Sequence, residues 1–355
     1  MTDIKPCRYA APRHWNAAPR GLRRDSTWFA PEAVWPPPYD PLAPMAGCET
    51  VMIERAMFVP EPFAVFDATG RLHAGTMPGV MRDMAPETMT APIQAPPGVQ
   101  SWLPIAAGVS VPLGRFLGEA LSTAVLQHAA QPHLGLIGAP LTPAQMDAMI
   151  ALNLLGFYTP VDRPTVLARL HLSRTIGRGP SRMMRPPIEA LRFTAEPYEV
   201  RPRISMLAPQ DGVHFSRSNH GSLRAWLRAR SFGALDAVAM TLDATRLRLN
   251  DMIATLAGAQ VVVIDDPNQA ALLGLCDPGT VVLELGVDGW HDGTIMAVCA
   301  LFGLEWRLVV AAAPRYPIKT PLPLGATRML HIEADIAVLD AALASVDSAA
   351  NVAIS

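Results

Sequence analysis

From residue 203 onward the chain alternates short apolar runs with amphipathic stretches, and no other feature of the sequence narrows its fold as much. The runs Arg203–Leu207, Ala237–Thr241, Gln260–Ile264, Thr280–Leu285 and Glu305–Ala311 have the length and apolar character of strands. Between them, Ser218–Arg230, Thr245–Ala257, Asn268–Cys276 and Gly293–Phe302 have helical length. Strands separated by such helices favour right-handed crossovers in a parallel sheet, which binds ligands outside the carboxyl ends of its strands. A last stretch, Asp335–Val346, carries Ile336, Val338, Leu339, Ala342 and Leu343 on one stripe and predicts a closing helix, packed on this sheet or crossing to the first half.

The first half is patterned differently. Thr50–Phe58 and Phe63–Phe66 are apolar or β-branched, and Asp67-Ala-Thr-Gly70 supplies turn chemistry, so a β-hairpin is expected to open a domain. Beyond it the pattern predicts a helix over Gly114–His128, a strand over Leu134–Ile137, a helix over Thr142–Leu154 and a strand over Val166–Leu172. Thr142 and Pro143 suit the N-cap and first turn of that second helix. Ser173–Pro187 sets Arg174, Arg178, Arg182 and Arg185 among Gly and Pro and reads as a long loop, with a boundary between halves near residues 185–200. Residues 1–45, rich in Pro, Arg and Trp, read as an extended arm. The expected organisation is an arm over 1–45, a first lobe over 46–195, and a second lobe with its closing helix over 196–355.

At 355 residues, 50% apolar and 17% charged, the chain can bury two cores. A formal net charge of −2 supplies no field favouring nucleic acid or an anionic membrane surface. The longest apolar stretches, such as Leu256–Ile264 and Ile295–Leu304, are far shorter than the ~20 residues of a spanning helix, so no transmembrane segment is expected. Met1-Thr-Asp-Ile-Lys-Pro6 lacks the basic start and apolar run of a signal peptide. Cys7, Cys48, Cys276 and Cys299 lie far apart without metal-ligand spacing, and free thiols in a cytoplasmic protein are the expected state.

Common nucleotide signatures are missing. No Gly-x-Gly-x-x-Gly occurs, and neither lysine, Lys5 or Lys319, follows a glycine as a phosphate-binding loop requires. Asp265 and Asp266 end a strand in the manner of a metal site; equally, Asp266 suits the N-cap of the helix from Asn268. His128 with His133, and His214 with His220, miss the i, i+4 spacing that puts two ligands on one helical face, and no Gly-x-Ser-x-Gly elbow is present. The arginines of the 174–185 stretch have guanidinium forks that match a diphosphate, and solvated loop charge explains them as well.

Several segments of the second half resemble the family 61 glycosyltransferases. They are the stretch Ser218–Arg230, the following strand, the helix Leu249–Gly258, and Ala259-Gln-Val-Val-Val-Ile264. Asp277-Pro278-Gly279-Thr280-Val-Val-Leu-Glu284 is similar to that family's Pro-Pro-Gly-Thr-x-x-x-Glu signature, and Arg217-Ser-Asn219 to its Arg-x-x-Asn or Arg-x-Asn element. Phe302-Gly-Leu-Glu-Trp306, the hairpin Val65-Phe-Asp67-Ala-Thr-Gly70 and the helix Phe116-Leu-Gly-Glu119-Ala-Leu121 extend the likeness over roughly residues 50–345. The resemblance implies a GT-B-like α/β fold of two Rossmann-like lobes with parallel sheets. It also implies a nucleotide-sugar donor, a UDP-sugar by preference, held mainly by the second lobe, a glycan acceptor between the lobes, and neither cofactor nor obligatory metal. Arg217, Asn219, Asn268, Gly279, Thr280 and Glu284 are the donor-side candidates it suggests.

Two motifs depart from the family pattern. Arg115-Phe-Leu-Gly-Glu119 stands where the family has His-Phe-Leu-Leu-Glu, and Asp266-Pro-Asn268-Gln-Ala-Ala-Leu272 where it has His-Gly-Ala-Gly-Leu-x-Asn. A first-lobe His would be the natural general base for an acceptor hydroxyl, whereas Arg115, on the acceptor side, stays protonated. Pro267 removes a backbone donor that a Gly-rich turn would offer to phosphate. Glu119 and Asp266 are the remaining candidates for a catalytic carboxylate, against solvated or helix-capping roles for each. Three functions follow: an inverting transferase in surface or capsular polysaccharide synthesis, associated with assembly proteins; an inactive relative that binds a glycan, nucleotide or partner; and a metal-dependent small-molecule enzyme.

Overall fold

The hairpin forms where the alternating sequence demands it. In the computed structural model, β1 (Gly47–Val59) pairs antiparallel with β2 (Ala64–Phe66), Met57 lying opposite Phe66. In the turn after β2, one Asp67 carboxylate oxygen accepts from the Thr69 hydroxyl and from the backbone N–H groups of Thr69 and Arg71, while Gly70 takes φ +79°. These bonds, the Thr69 hydroxyl foremost, hold the Asp67 carboxyl below its ordinary value. The structure describes residues 47–61, 63–73, 91–176, 184–194, 204–208, 225–226, 237–241, 248–264, 266–287, 294–311, 339–340 and 343. The arm expected over 1–45 lies outside them.

Five further strands complete the first sheet: β3 (Ile93–Gln94), β4 (Ser101–Pro104), β5 (Gly135–Gly138), β6 (Tyr158–Pro160) and β7 (Thr165–Ile176). Their order is β2-β1-β7-β4-β5-β6, with β3 also on β7. β7 pairs antiparallel with β1 but parallel with β3 and β4. The sheet is therefore mixed, which corrects the expectation of parallel sheets in both lobes. The physical reason is the hairpin, which fixes β1 and β2 antiparallel at one side of a sheet otherwise built by crossovers.

Helices follow the sequence with two corrections. α1 (Leu113–Arg115) continues through a π-helical stretch, Phe116–Leu121, into α2 (Ser122–Ala130). α3 (Pro143–Ala151) begins with the expected cap: the Thr142 hydroxyl accepts from the Gln145 N–H, and the Gln145 side chain returns to the Thr142 N–H. It stops short of the predicted Leu154, Asn153 taking φ +57° just beyond it. The loop expected over Ser173–Pro187 is corrected at both ends. Its first four residues extend β7, and α4 (Arg185–Arg192) starts on Pro186-Pro187, prolines that open a first turn instead of breaking a helix. Residues 177–183 lie outside the described set.

The second sheet contains β8 (Ile204–Ala208), β9 (Ala237–Thr241), β10 (Val261–Ile264), β11 (Val281–Val287) and β12 (Glu305–Ala311). Every pairing in it is parallel, and the order is β12-β11-β10-β8-β9. Crossovers carry α5 (Leu249–Leu256), a 3-10 helix over Pro267–Leu275 and α6 (Thr294–Phe302). The described residues of β8, β10 and β11 are buried on both faces, as a covered parallel sheet requires. On one face Ile204, Met206, Val263 and Leu283 cluster with Trp226, Leu339 and Leu343, so these two leucines of the expected closing helix pack on this sheet.

The other face shares one apolar core with the first half. Leu207, Val262, Ile264, Val282 and Trp306 belong to the same cluster as Leu103, Leu136, Phe116, Met149 and Ile188. Between the two sheets the helices interlock: α1 and the π-helical stretch touch the Pro267–Leu275 helix, α4 also touches it, and α3 touches α5. Among the described residues no helix is long and apolar enough to cross a membrane.

Candidate functional site

A sheet with sequence ranks 2-1-3-4-5 reverses direction between its first and third strands, here β8 and β10. The general ligand position of doubly wound sheets lies outside the carboxyl ends of the strands at such a reversal, here those of β8 and β10. β10 ends at Ile264, and Asp266 follows immediately at that edge. Asp266 is fully buried and caps the Pro267–Leu275 helix, its Oδ1 accepting from the Asn268 backbone N–H and from the Asn268 side-chain amide, both at 2.9 Å. This is the helix-capping geometry that Asp266 and Asn268 allowed on sequence grounds. Asp265 lies outside the described residues.

The first half contributes the helix carrying Arg115 and Glu119 to this place. Gly114 packs its backbone against Asn268 and Gln269: a Cβ at Gly114 would lie 2.7 Å from the Gln269 Cα. One helical turn on, a Cβ at Gly118 would meet the Ala271 Cβ at 3.0 Å. Glycine at both positions therefore lets the helix carrying Arg115 and Glu119 lie directly on the helix that Asp266 caps. Arg115 and Glu119 point outward and pair with each other at 3.1 Å, both well exposed. That pairing satisfies Glu119 only in part, because a solvent-exposed i, i+4 pair contributes little and exchanges readily with water.

The Pro-Gly-Thr signature is at the other end of the sheet. Gly279, with φ +88°, donates its N–H to the Gly303 carbonyl, and the Thr280 hydroxyl donates to the Ala259 carbonyl at 2.9 Å. Both residues precede β11, so they stand at the amino edge, Thr280 about 13 Å of strand below the level of Glu284. Asp277 beside them pairs with Arg192 of α4 at 2.8 Å. Glu284 lies opposite Ile264 in the register, nearer the carboxyl edge, but is buried and accepts from the Trp306 indole N–H at 2.7 Å. Its carboxylate also adds to the upward push on the Cys299 thiol, after burial itself. Cys276 behaves alike, burial pushing it up to about 12. Both thiols are buried and free, as expected for these two cysteines.

Of the sequence-derived candidates, the structure thus carries Arg115 and Glu119 on a helix packed against the one that Asp266 and Asn268 begin, sets Glu284 in the interior, and separates Gly279 and Thr280 to the opposite edge. Arg217 and Asn219 lie outside the described residues, as do His214 and His220. Gln269 was not singled out by sequence, since its neighbours read as an apolar helical run. It is fully buried, with neither atom of its amide hydrogen bonded. Among the described residues no three His, Cys, Asp or Glu side chains gather where a metal ion could be held. No family model matches the chain, and a search of curated proteins finds no match.

Proposed function

We propose that the chain is a glycosyltransferase of the family 61 type on a GT-B-derived scaffold, moving a sugar from a nucleotide-sugar to a glycan acceptor in surface polysaccharide synthesis. The observation that carries the reading is the packing of the helix bearing Arg115 and Glu119, through Gly114 and Gly118, on the helix that Asp266 caps, beside the reversal point of an all-parallel sheet. The nucleotide diphosphate would sit outside the carboxyl ends of β8 and β10, and the acceptor on the side of the Arg115–Glu119 helix.

In this mechanism Glu119 takes the proton of the acceptor hydroxyl. The acceptor oxygen then bonds to the anomeric carbon as the bond to the diphosphate oxygen breaks, the electron pair leaving with the nucleotide and the configuration inverting. Arg115, a cation beside Glu119, would stabilise the departing charge. Asp266 would act by fixing the start of the Pro267–Leu275 helix and the Asn268 amide.

A binding-only relative is the second reading, and the burial of Asp266 in a capping role favours it. Calorimetric titration with UDP and several UDP-sugars, on the wild type and on Asn268→Ala, separates the two when combined with an assay for release of free UDP in the presence of glycan acceptors. Saturable binding that Asn268→Ala weakens, together with acceptor-dependent UDP release, supports the transferase. Binding without release supports the inactive relative. No binding of any nucleotide sinks both forms of the donor site.

A further inference from the structure

Two lobes joined by a hinge would present separate cores and a cleft that opens. Here the layer between the sheets is built from both halves at once. Gln269 through Leu275, all buried, run between helices of the first half: the Gly114 and Gly118 face on one side and α4 on another. At Gly274 a Cβ would meet Ile188 of α4 at 2.7 Å and Phe302 of α6 at 2.6 Å, so side chains from both halves close on one glycine.

Polar contacts cross the same boundary. Asp147 of α3 accepts the backbone N–H of Leu249 at 3.1 Å and pairs with Arg248 at 2.6 Å, so a first-half carboxylate caps a second-half helix. Arg192 and Asp277 make a second crossing. A helix end capped from another unit loses its partner when the units part, and an apolar seam with no room for a methyl group loses its packing all at once.

We propose that the two halves fold and move as one body, so that Arg115–Glu119 and Asp266–Asn268 are held side by side before any ligand arrives. Substrate entry and exit at this place occur without rotation of one sheet relative to the other. The inference concerns the site of the transferase reading but does not rest on that reading.

Native-state hydrogen exchange of the full chain under increasing urea, read by mass spectrometry, tests it directly. Amides of β5 in the first sheet and β10 in the second should merge onto one opening isotherm of the same slope, because the most protected amides exchange through the global transition. Separate isotherms, with one sheet exchanging while the other stays protected, overturn the proposal. In Asp147→Ala, loss of the cap should reduce protection of β5 and β10 by the same factor, about fivefold. A loss confined to β10 and α5 overturns it as well. Neither arm uses a ligand, so the outcome is independent of whether a nucleotide binds.

Discussion

The two ends of the second sheet do different jobs. At the amino edge, turns close on one another: Gly279 on Gly303, Thr280 on Ala259 and, one layer out, Asp277 on Arg192. These three contacts all stay within the fold. At the carboxyl edge, the reversal between β8 and β10 stands beside an exposed Arg–Glu pair and a buried capping aspartate. On the proposed family 61 reading, the Pro278-Gly279-Thr280 segment belongs to the first end, and the Arg115–Glu119 and Asp266–Leu272 segments to the second.

Substitutions can break or sharpen that division. The largest effect is expected at the carboxyl edge in function alone. Glu119→Gln should lower transferase turnover by about 10²-fold to 10⁴-fold while leaving the urea midpoint nearly unchanged, because its ion pair is exposed. Steady-state rates beside a denaturation curve check this, and an unaltered rate would remove Glu119 from the mechanism. Gly114→Val comes next and acts on stability. It drives a side chain into the backbone at Asn268 and Gln269 and should cost about 3 kcal/mol, read as a fall in the urea midpoint at unchanged slope.

The amino edge should respond in stability and not in binding. Thr280→Val removes the hydroxyl that satisfies the Ala259 carbonyl and should cost about 1–2 kcal/mol, with the UDP affinity of the wild type retained. Affinity lost in proportion would mean that the ends are not divided. Gly279→Ala is the smallest case. The space around Gly279 is open, so only the left-handed backbone resists a methyl group, at about 1 kcal/mol by thermal or chemical denaturation.

Much of the second sheet could be read from the chain because its strands are short, apolar and separated by stretches of one helical length. β9 and β12 run over the predicted residues, and β8, β10 and β11 differ by one or two at their ends. The first sheet was harder. β4 carries Trp102 and Leu103 to opposite faces over only four residues, too few to establish a period, and β6 is shorter still. α4 was hidden by its own Pro186-Pro187, which mark a loop and a first helical turn equally well. The helix after Asp266 was placed correctly but winds as 3-10, a tighter path compatible with residues buried on every side.

The sequence alone determined the parallel winding of the second half, the opening hairpin, the capped start of α3 and the capping option for Asp266. These rest on local propensity and on periods that span only a few residues. Strand order, and with it the position of the reversal beside β10, came only from the tertiary structure, because parallel pairing joins residues that no local pattern relates. So did the seam in which Gly114 meets Asn268. A glycine's value there lies in what approaches it from across the fold, more than 150 residues away along the chain, and that distance is closed only when both sheets share one core.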